Sequence, residues 1–255
     1  MHHLRRGSGK PLLLVHGLGG TWQSWNPMLD TLAAEREVIA VDLPGFGETP
    51  PLPGPLTLAA LTDALQAFMT EHGLTGVDTV GSSMGARMVL ELARRGVGGT
   101  AVSLDPGGFW SEGELRFFGV SLHASIKLLW VLRPALPALL ANPVGRTALP
   151  AQFSARPWAL SQEVTLTELQ SFIDAPAFDR TLDALVASPP PEGGPTPGRV
   201  VLGWGRQDRV TLPRQAARAQ RAFPHAELHW FDHCGHFPQW DAPDETARLV
   251  LRNTA

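Results

Sequence analysis

The fold of this chain is decided by residues 77–90, which read VDTVGSSMGARMVL. The first residues are typical of a short strand, the Gly-x-Ser-x-Gly pattern of an abrupt turn, and the apolar spacing after it of a helix. A strand that reverses directly into a helix strains its central residue, and close approach of neighbouring chain restricts the flanking positions to glycine. Ser83, at the centre, is pushed outward at a helix N-terminus, where free N–H groups favour developing negative charge. The stretch therefore predicts that Ser83 is a nucleophile, with at most a minor role for Ser82.

Composition sets the class of protein. The chain has 255 residues, 44% of them hydrophobic and 18% charged, which is typical of a globular protein with a substantial core. Its net charge of −3 provides no basic surface for nucleic acid. One cysteine, Cys234, excludes an internal disulfide framework. We find neither a signal peptide at the start nor a run of about 18 apolar residues. We therefore expect a soluble cytoplasmic protein that makes no membrane contact.

Apolar runs alternate with helical patterns over most of the chain. Alternation of this kind predicts an α/β fold, a mostly parallel doubly wound sheet with helices on both faces. It stops after Trp110, because residues 111 to about 188 show only helical stretches cut by prolines. It resumes after a linker rich in proline and glycine at 189–198. We expect a core formed by residues 1–110 and 189–255, with an inserted helical lid at 111–188. The predicted strands are residues 11–15, 38–41, the strand before Ser83, 101–104, 199–202 and 227–231.

The base that activates Ser83 should be a histidine, because a serine hydroxyl is a poor nucleophile until a base takes its proton. His236 lies in a loop just beyond the last predicted strand, at the carboxyl edge where such sheets place ligands. His233 is the nearest alternative, and chain order fits either residue. His229 falls within the strand and is expected to be structural, while His16 is expected to shape its own glycine loop. We favour His236.

The acid that orients this base has to come from another carboxyl edge. Asp208 follows the strand at 199–202, and Asp105, after the strand at 101–104, is the alternative. Asp42 lies in a turn, where a carboxylate commonly accepts hydrogen bonds from backbone N–H groups. The flanking Arg206 and Arg209 would keep Asp208 ionised, or they are simply solvated surface charges.

Two backbone donors are needed for the oxyanion of an acyl-transfer reaction. Met84 N–H, directly after the nucleophile, would supply one, and Leu18 N–H in the glycine loop the other. Apolar and aromatic residues dominate the predicted lid, and most of them should be core. Some must line an apolar substrate pocket above Ser83. The residues that we expect there are Trp110, Phe118, Trp130 and Trp158.

Five motifs occur in an order that resembles the α/β-hydrolase superfamily: HG at 16–17, DLPGFG at 42–47, GSSMG at 81–85, GRQD at 205–208 and GH at 235–236. The resemblance covers the whole chain and is greatest to small bacterial serine hydrolases of carboxylesterase type with a helical lid. It implies Ser83 as nucleophile, Asp208 as acid and His236 as base, with Leu18 and Met84 as oxyanion donors. The chain departs from the family at its start, where the first strand is missing or very short. A serine at the turn, in place of aspartate, argues against dehalogenase and epoxide hydrolase chemistry.

The activity expected from these residues is hydrolysis of carboxylic esters of small to medium apolar substrates through an acyl-enzyme. Hydrolysis of a carbon–carbon bond in a vinylogous diketone is the alternative within the enzymes, and a lactonase, amidase, acyltransferase or perhydrolase would use the same residues. A non-catalytic small-molecule receptor is the alternative from another class. No metal-ligand spacing and no dinucleotide fingerprint is present, so no metal or cofactor is predicted. The sequence does not fix the oligomeric state or give Cys234 a role.

Overall fold

A seven-stranded sheet forms the centre of the computed structural model, which describes residues 1–254. Its spatial order begins with the first and third strands of the chain, continues through the second, and then follows the fourth to the seventh in sequence. Only the first strand runs antiparallel to its neighbour. The strands are β1 (His3–Arg6), β2 (Pro11–Val15), β3 (Glu37–Val41), β4 (Asp78–Ser82), β5 (Ala101–Leu104), β6 (Val200–Gly205) and β7 (Glu227–Phe231).

The inner strands are buried on both faces because they are continuous apolar runs covered by helices on either side. Parallel pairing brings the carboxyl ends of β2, β4, β5 and β6 to one edge of the sheet. The first strand, expected to be missing or very short, is present with four residues. The predicted mostly parallel α/β fold is confirmed.

Helices cover both faces of the sheet, and two apolar clusters separate along its two sides. Thr57 caps the second helix, since its Oγ1 accepts a hydrogen bond from Ala60 N at 3.1 Å. The helices are α1 (Asn26–Ala33), α2 (Leu58–Glu71), α3 (Met84–Arg94), α4 (Glu112–Leu132), α5 (Leu136–Ala141), α6 (Pro143–Ala148), α7 (Gln162–Asp174), α8 (Phe178–Ala187), α9 (Ala216–Ala222), α10 (Pro238–Asp241) and α11 (Pro243–Asn253).

Five of these helices, α4 to α8, lie between β5 and β6 and are called the inserted helices below. They occupy the segment 111–188, in which the sequence predicted helices and no strand. The start of α4 is tied to the core by Glu114, a buried carboxylate that pairs with Arg214 and Arg218. Glu114 also accepts a hydrogen bond from Ser111 N at 2.7 Å, which fixes the N-terminus of the helix.

The outer face of α4 is apolar and exposed. The segment Glu112–Ala141, which runs from α4 through α5, is long and apolar enough to cross a membrane by length and composition alone. It holds no unbroken run of about 18 apolar residues, since Arg116, Lys127 and Arg133 interrupt it. In the described part of the chain, the large hydrophobic side chains that are exposed all lie between residues 117 and 158: Phe117, Val120, Leu128, Trp130, Val131, Val144 and Trp158.

Candidate active site

Ser83 occupies the turn between β4 and α3 in a strained backbone conformation. Its φ is +55° and its ψ −111°, values that a residue other than glycine rarely adopts. The two flanking glycines have no room for a side chain. A Cβ built on Gly81 would overlap the carbonyl oxygen of Gly85, and one built on Gly85 would overlap that of Val15. The spacing of this motif is thus a packing requirement that delivers the serine hydroxyl to the carboxyl edge of the sheet.

Hydrogen bonds join Ser83 to the histidine and the aspartate favoured from the sequence. His236 Nδ1 lies 2.9 Å from Asp208 Oδ2, and His236 Nε2 lies 2.8 Å from Ser83 Oγ. Because the carboxylate accepts the Nδ1 proton, Nε2 is left to accept the serine proton. His236 and Asp208 are each only 2% exposed, so water does not compete for these bonds. His236 N–H also donates to Phe153 O at 2.7 Å, which ties the histidine loop to the inserted segment.

Asp208 is held by groups of its own loop. Its Oδ1 accepts hydrogen bonds from Val210 N at 2.7 Å and Thr211 N at 3.1 Å, and its Oδ2 accepts one from Thr211 Oγ1 at 2.6 Å. With the His236 contact, four donors face the two oxygens, an arrangement that fits a carboxylate. The flanking arginines contribute no contact to it: both are exposed, Arg206 pairs with Asp232 and Arg209 bonds the Ala151 carbonyl.

Asp105, the alternative acid, is buried beside Asp208 but does not bond His236. Its φ is +48°, its Oδ1 accepts a hydrogen bond from Gly205 N at 2.8 Å, and its Oδ2 has no partner among residues 1–254. Burial, and then repulsion by Asp208, raise the pKa of Asp105 well above its usual value. One ligand atom each from Asp105, Asp208 and His236 lies within 4.8 Å of the others, the one such group in the described chain. The oxygens of Asp208 are already satisfied by protein donors, so this group needs no metal to explain it.

The glycine loop after β2 passes directly against Ser83. A Cβ built on Gly17 would lie 3.0 Å from Ser83 Cβ. His16 holds this loop, since its Nε2 accepts a hydrogen bond from Leu43 N at 2.9 Å while its Nδ1 donates to Gly17 O at 2.7 Å. Complete burial lowers the pKa of His16 to about 4, which keeps it neutral. His16 is therefore a structural residue of the loop.

Both predicted oxyanion donors lie at this junction. Met84 is the first residue of α3, so its N–H is one of the free donors of a helix N-terminus. Leu18 lines the same cavity as Ser83, and its N–H has no acceptor within residues 1–254.

A small apolar cavity of about 30 Å³ adjoins the Ser83 hydroxyl. Of the four aromatic residues expected around the pocket, Phe118 lines this cavity. Trp110 packs against Phe118 with ring centroids 4.7 Å apart, behind the wall, while Trp130 and Trp158 are more than half exposed. The lining residues not picked out from the sequence are Leu122, Phe153, Phe172, Phe178, Leu185, Val210 and Phe237. Of these, only Phe237 could have been predicted from the sequence, because it directly follows His236.

The other candidates have structural positions. His233 is exposed, and His229 lies 3.2 Å from Glu245 at the surface of β7. Asp42 accepts hydrogen bonds from Trp22 N at 2.8 Å and Glu48 N at 3.1 Å, the turn role anticipated for it.

Two buried groups near the site have pKa values raised by burial. Glu168, in α7, accepts a hydrogen bond from Ser24 Oγ at 3.0 Å, and burial raises its pKa to about 8. Cys234, two residues before His236, is 1% exposed, and burial raises the pKa of its thiol far above the usual value.

Comparison with known proteins gives a consistent assignment of fold. The model of the alpha/beta hydrolase family matches residues 12–249. A dihydrolipoyllysine-residue acetyltransferase component of the acetoin cleaving system from Cupriavidus necator is 26% identical over 99% of this chain, which spans 66% of that protein's length. A 2-hydroxy-6-oxononadienedioate/2-hydroxy-6-oxononatrienedioate hydrolase from Dechloromonas aromatica is 27% identical over 98% of this chain and 89% of its own. Among solved structures, a thermophilic esterase from Thermogutta terrifontis superimposes with a TM-score of 0.76 at 20% identity, over 98% of this chain and 91% of the esterase.

Proposed function

Because the chain belongs to the alpha/beta hydrolase family, we propose that it is a serine hydrolase that cleaves carboxylic esters of small to medium apolar substrates. The observation that carries this proposal is the hydrogen-bonded chain Ser83–His236–Asp208, with the serine hydroxyl at an apolar cavity. A nucleophile bonded to a base, itself oriented by a carboxylate, is the arrangement that acyl transfer requires.

Acylation begins when Ser83 Oγ attacks the ester carbonyl carbon and His236 Nε2 takes the hydroxyl proton. Asp208 holds the ring in the right tautomer and stabilises the imidazolium that forms. The carbonyl oxygen becomes an oxyanion, which the N–H groups of Leu18 and Met84 would bind. When the tetrahedral intermediate collapses, the bond to the leaving oxygen breaks and His236 delivers its proton to the departing alcohol.

Deacylation repeats these steps with water. His236 takes a proton from water, the hydroxide attacks the acyl carbon, and the second intermediate releases the carboxylic acid. Ser83 Oγ then recovers its proton from His236. In this proposal residues 111–188 act as the lid, because four of the inserted helical segment's aromatic side chains, Phe118, Phe153, Phe172 and Phe178, line the cavity over Ser83.

A second candidate activity, carbon–carbon bond hydrolysis, is favoured by the relative from Dechloromonas aromatica. The name of that relative specifies a dioate, a substrate with two carboxylate groups. No lysine or arginine lines the cavity at Ser83. Burying a carboxylate without a partner is costly, so the immediate surroundings of Ser83 favour an uncharged group there over a carboxylate.

Hydrolysis of p-nitrophenyl esters of graded acyl length tests the proposal. Wild type is compared with Ser83→Ala and His236→Ala, and with His233→Ala as the matched control, since His233 is exposed. We expect an initial burst of p-nitrophenol and losses of about a thousandfold or more in the first two variants only. An equal, feeble rate in all four proteins would refute the esterase proposal. Turnover of a 2-hydroxy-6-oxodienoate would then support carbon–carbon hydrolysis, and ligand binding without turnover would support a receptor.

A further inference from the structure

The cavity at Ser83 is too small for the substrate of the proposed function, on which this inference rests. Its volume is about 30 Å³. That is roughly the room of one water molecule, whereas small-molecule sites usually measure about 300–1,000 Å³. Substrate binding therefore requires a wall of the cavity to move.

One wall has open space directly behind it. A cleft of about 570 Å³ lies between α4 and the turn that joins α7 to α8, and we call it the outer cleft. Phe172 and Phe178 line both the outer cleft and the cavity at Ser83, and they are the only residues common to the two linings. Displacing these two rings would join the spaces into one of roughly 600 Å³, within the usual range for a ligand site.

The contacts of the two rings permit such a displacement. Both rings are buried, and their aromatic neighbours are at ordinary packing distances: Phe172 lies 5.5 Å from Phe153 and 6.3 Å from Phe178 between ring centroids. These contacts are apolar, so moving a ring breaks no hydrogen bond. A ring that turns toward the outer cleft enters a space large enough to receive it.

The position of the rings indicates which part of the ester passes them. A Cβ built on Gly19, whose φ is +79°, would lie 2.7 Å from Phe172 Cδ1 and 2.8 Å from Phe178 Cε2. Both rings therefore lie over the glycine loop, on the side of the predicted oxyanion donors. The leaving alcohol must instead lie beside His236 Nε2, which protonates it. With the alcohol beside His236, the acyl chain is the arm left to extend toward Phe172 and Phe178 in this proposal.

Seven of the twelve residues that line the outer cleft are apolar or aromatic, and the other five are charged: Lys127, Arg133, Asp174, Asp179 and Arg180. Ile126, Ile173 and Pro176 supply apolar surface. At the rim, Arg133 pairs with Asp174 at 2.6 Å between two half-exposed side chains, which joins the end of α4 to the end of α7. The apolar residues of this lining offer contacts to an acyl chain.

We propose that the outer cleft is a second substrate subsite, which takes the acyl chain of medium- and long-chain esters once Phe172 and Phe178 swing aside. Short acyl groups would displace the rings less and would end before the outer cleft. The two rings then set the chain-length preference of the enzyme.

The test is the ratio of kcat/KM for p-nitrophenyl decanoate to that for p-nitrophenyl acetate. Phe178→Ala opens the passage, and Phe118→Ala is its matched control, because Phe118 lines the same cavity but not the outer cleft. We expect the ratio to rise about tenfold or more in Phe178→Ala and less than about threefold in Phe118→Ala, since each methylene in a fitting pocket counts for a large factor. Ala175→Trp, which fills the outer cleft from a position outside the inner cavity, should lower the ratio about tenfold.

Equal shifts in Phe178→Ala and Phe118→Ala would overturn the subsite, while Ser83-dependent hydrolysis of the acetate would leave the proposed function standing. Acetate esters of ethanol and decanol form the second series. If Phe178→Ala changes the kcat/KM ratio of decyl to ethyl acetate and leaves the ratio of the decanoate to the acetate p-nitrophenyl ester unchanged, the acyl assignment is overturned.

Covalent labelling of Ser83 by p-nitrophenyl esters of ethylphosphonate and decylphosphonate, followed by mass spectrometry, tests the same subsite without ester turnover. The alkyl group on phosphorus takes the place of the acyl chain, and Ser83 Oγ displaces p-nitrophenolate. Faster decyl labelling in Phe178→Ala than in Phe118→Ala supports the subsite even if no ester is hydrolysed. Equal labelling rates refute it.

Discussion

Replacing Asp208 by asparagine should show which of the two neighbouring buried acids, Asp208 or Asp105, orients His236 at the proposed active site. The amide has one acceptor where the carboxylate has two, and four donors face those oxygens. With its NH₂ group toward His236, the amide forces Nδ1 to be the acceptor. Nε2 then carries the proton and cannot take one from Ser83. Loss of the tautomer in this way costs about 10⁴ in kcat, equivalent to roughly 5.4 kcal/mol of activation free energy.

The matched control is Asp105→Asn. Burial, and then repulsion by Asp208, raise the pKa of Asp105, and an amide of the same shape still accepts the Gly205 N–H. We expect kcat to fall less than about tenfold, since Asp105 does not bond His236 and the tautomer of His236 is therefore unaffected. The assay is steady-state hydrolysis of the best p-nitrophenyl ester, with the melting temperature of each variant recorded beside it. If Asp105→Asn loses as much activity as Asp208→Asn, the assignment of the acid is wrong.

Three further outcomes are expected. Gly85→Ala should lower the free energy of unfolding by about 3 kcal/mol or more, because its Cβ overlaps the backbone of β2. At Gly113 a Cβ meets nothing within 4 Å, so Gly113→Ala should leave the free energy of unfolding equal or higher. Urea titrations measure both. Glu168 keeps its proton in the folded state up to about pH 8 but loses it near 4.5 when unfolded, so stability should fall as pH rises through this window. Glu168 contributes a slope of about 1.4 kcal/mol of unfolding free energy per pH unit. Glu168→Gln should remove this contribution, and parallel curves of unfolding free energy against pH for the two proteins would contradict the reasoning. His16→Ala should lower kcat about tenfold to a hundredfold by loosening the glycine loop, whereas His229→Ala, at the surface, should not, as steady-state kinetics would show.

The sheet and the turn at Ser83 could be predicted because they depend on short-range rules. A buried parallel strand needs a continuous apolar run, and the strand–turn–helix reversal needs glycine at 81 and 85. The position of His236 follows from the last strand, since the carboxyl ends of parallel strands share one edge. Local chemistry was therefore enough to bring the candidates to one edge of the sheet, while the choice of His236 over His233 and of Asp208 over Asp105 follows from the hydrogen bonds of the structure.

The lining of the cavity depends on long-range packing, which no local pattern reports. Trp130 and Phe172 are both aromatic residues on inserted helices, yet one is 58% exposed and the other 4%. The difference arises from how α4 and α7 are rotated against the core. The exposed apolar face of α4 was missed for the same reason, because an apolar residue in a helix is ordinarily assigned to the core. For Arg206 and Arg209 the sequence left two interpretations open, and the structure supports solvated surface charges, since neither contacts Asp208.

The burial of Cys234 makes this protein a ready host for site-specific labelling. It is the chain's one cysteine, and a buried thiol whose pKa is raised is a poor nucleophile toward maleimide reagents. A cysteine introduced at an exposed position of α4, such as Val131, would therefore be the sole reactive thiol without removal of the native one. A fluorophore there would report changes in the surroundings of α4 during turnover, in real time and on an otherwise unaltered chain.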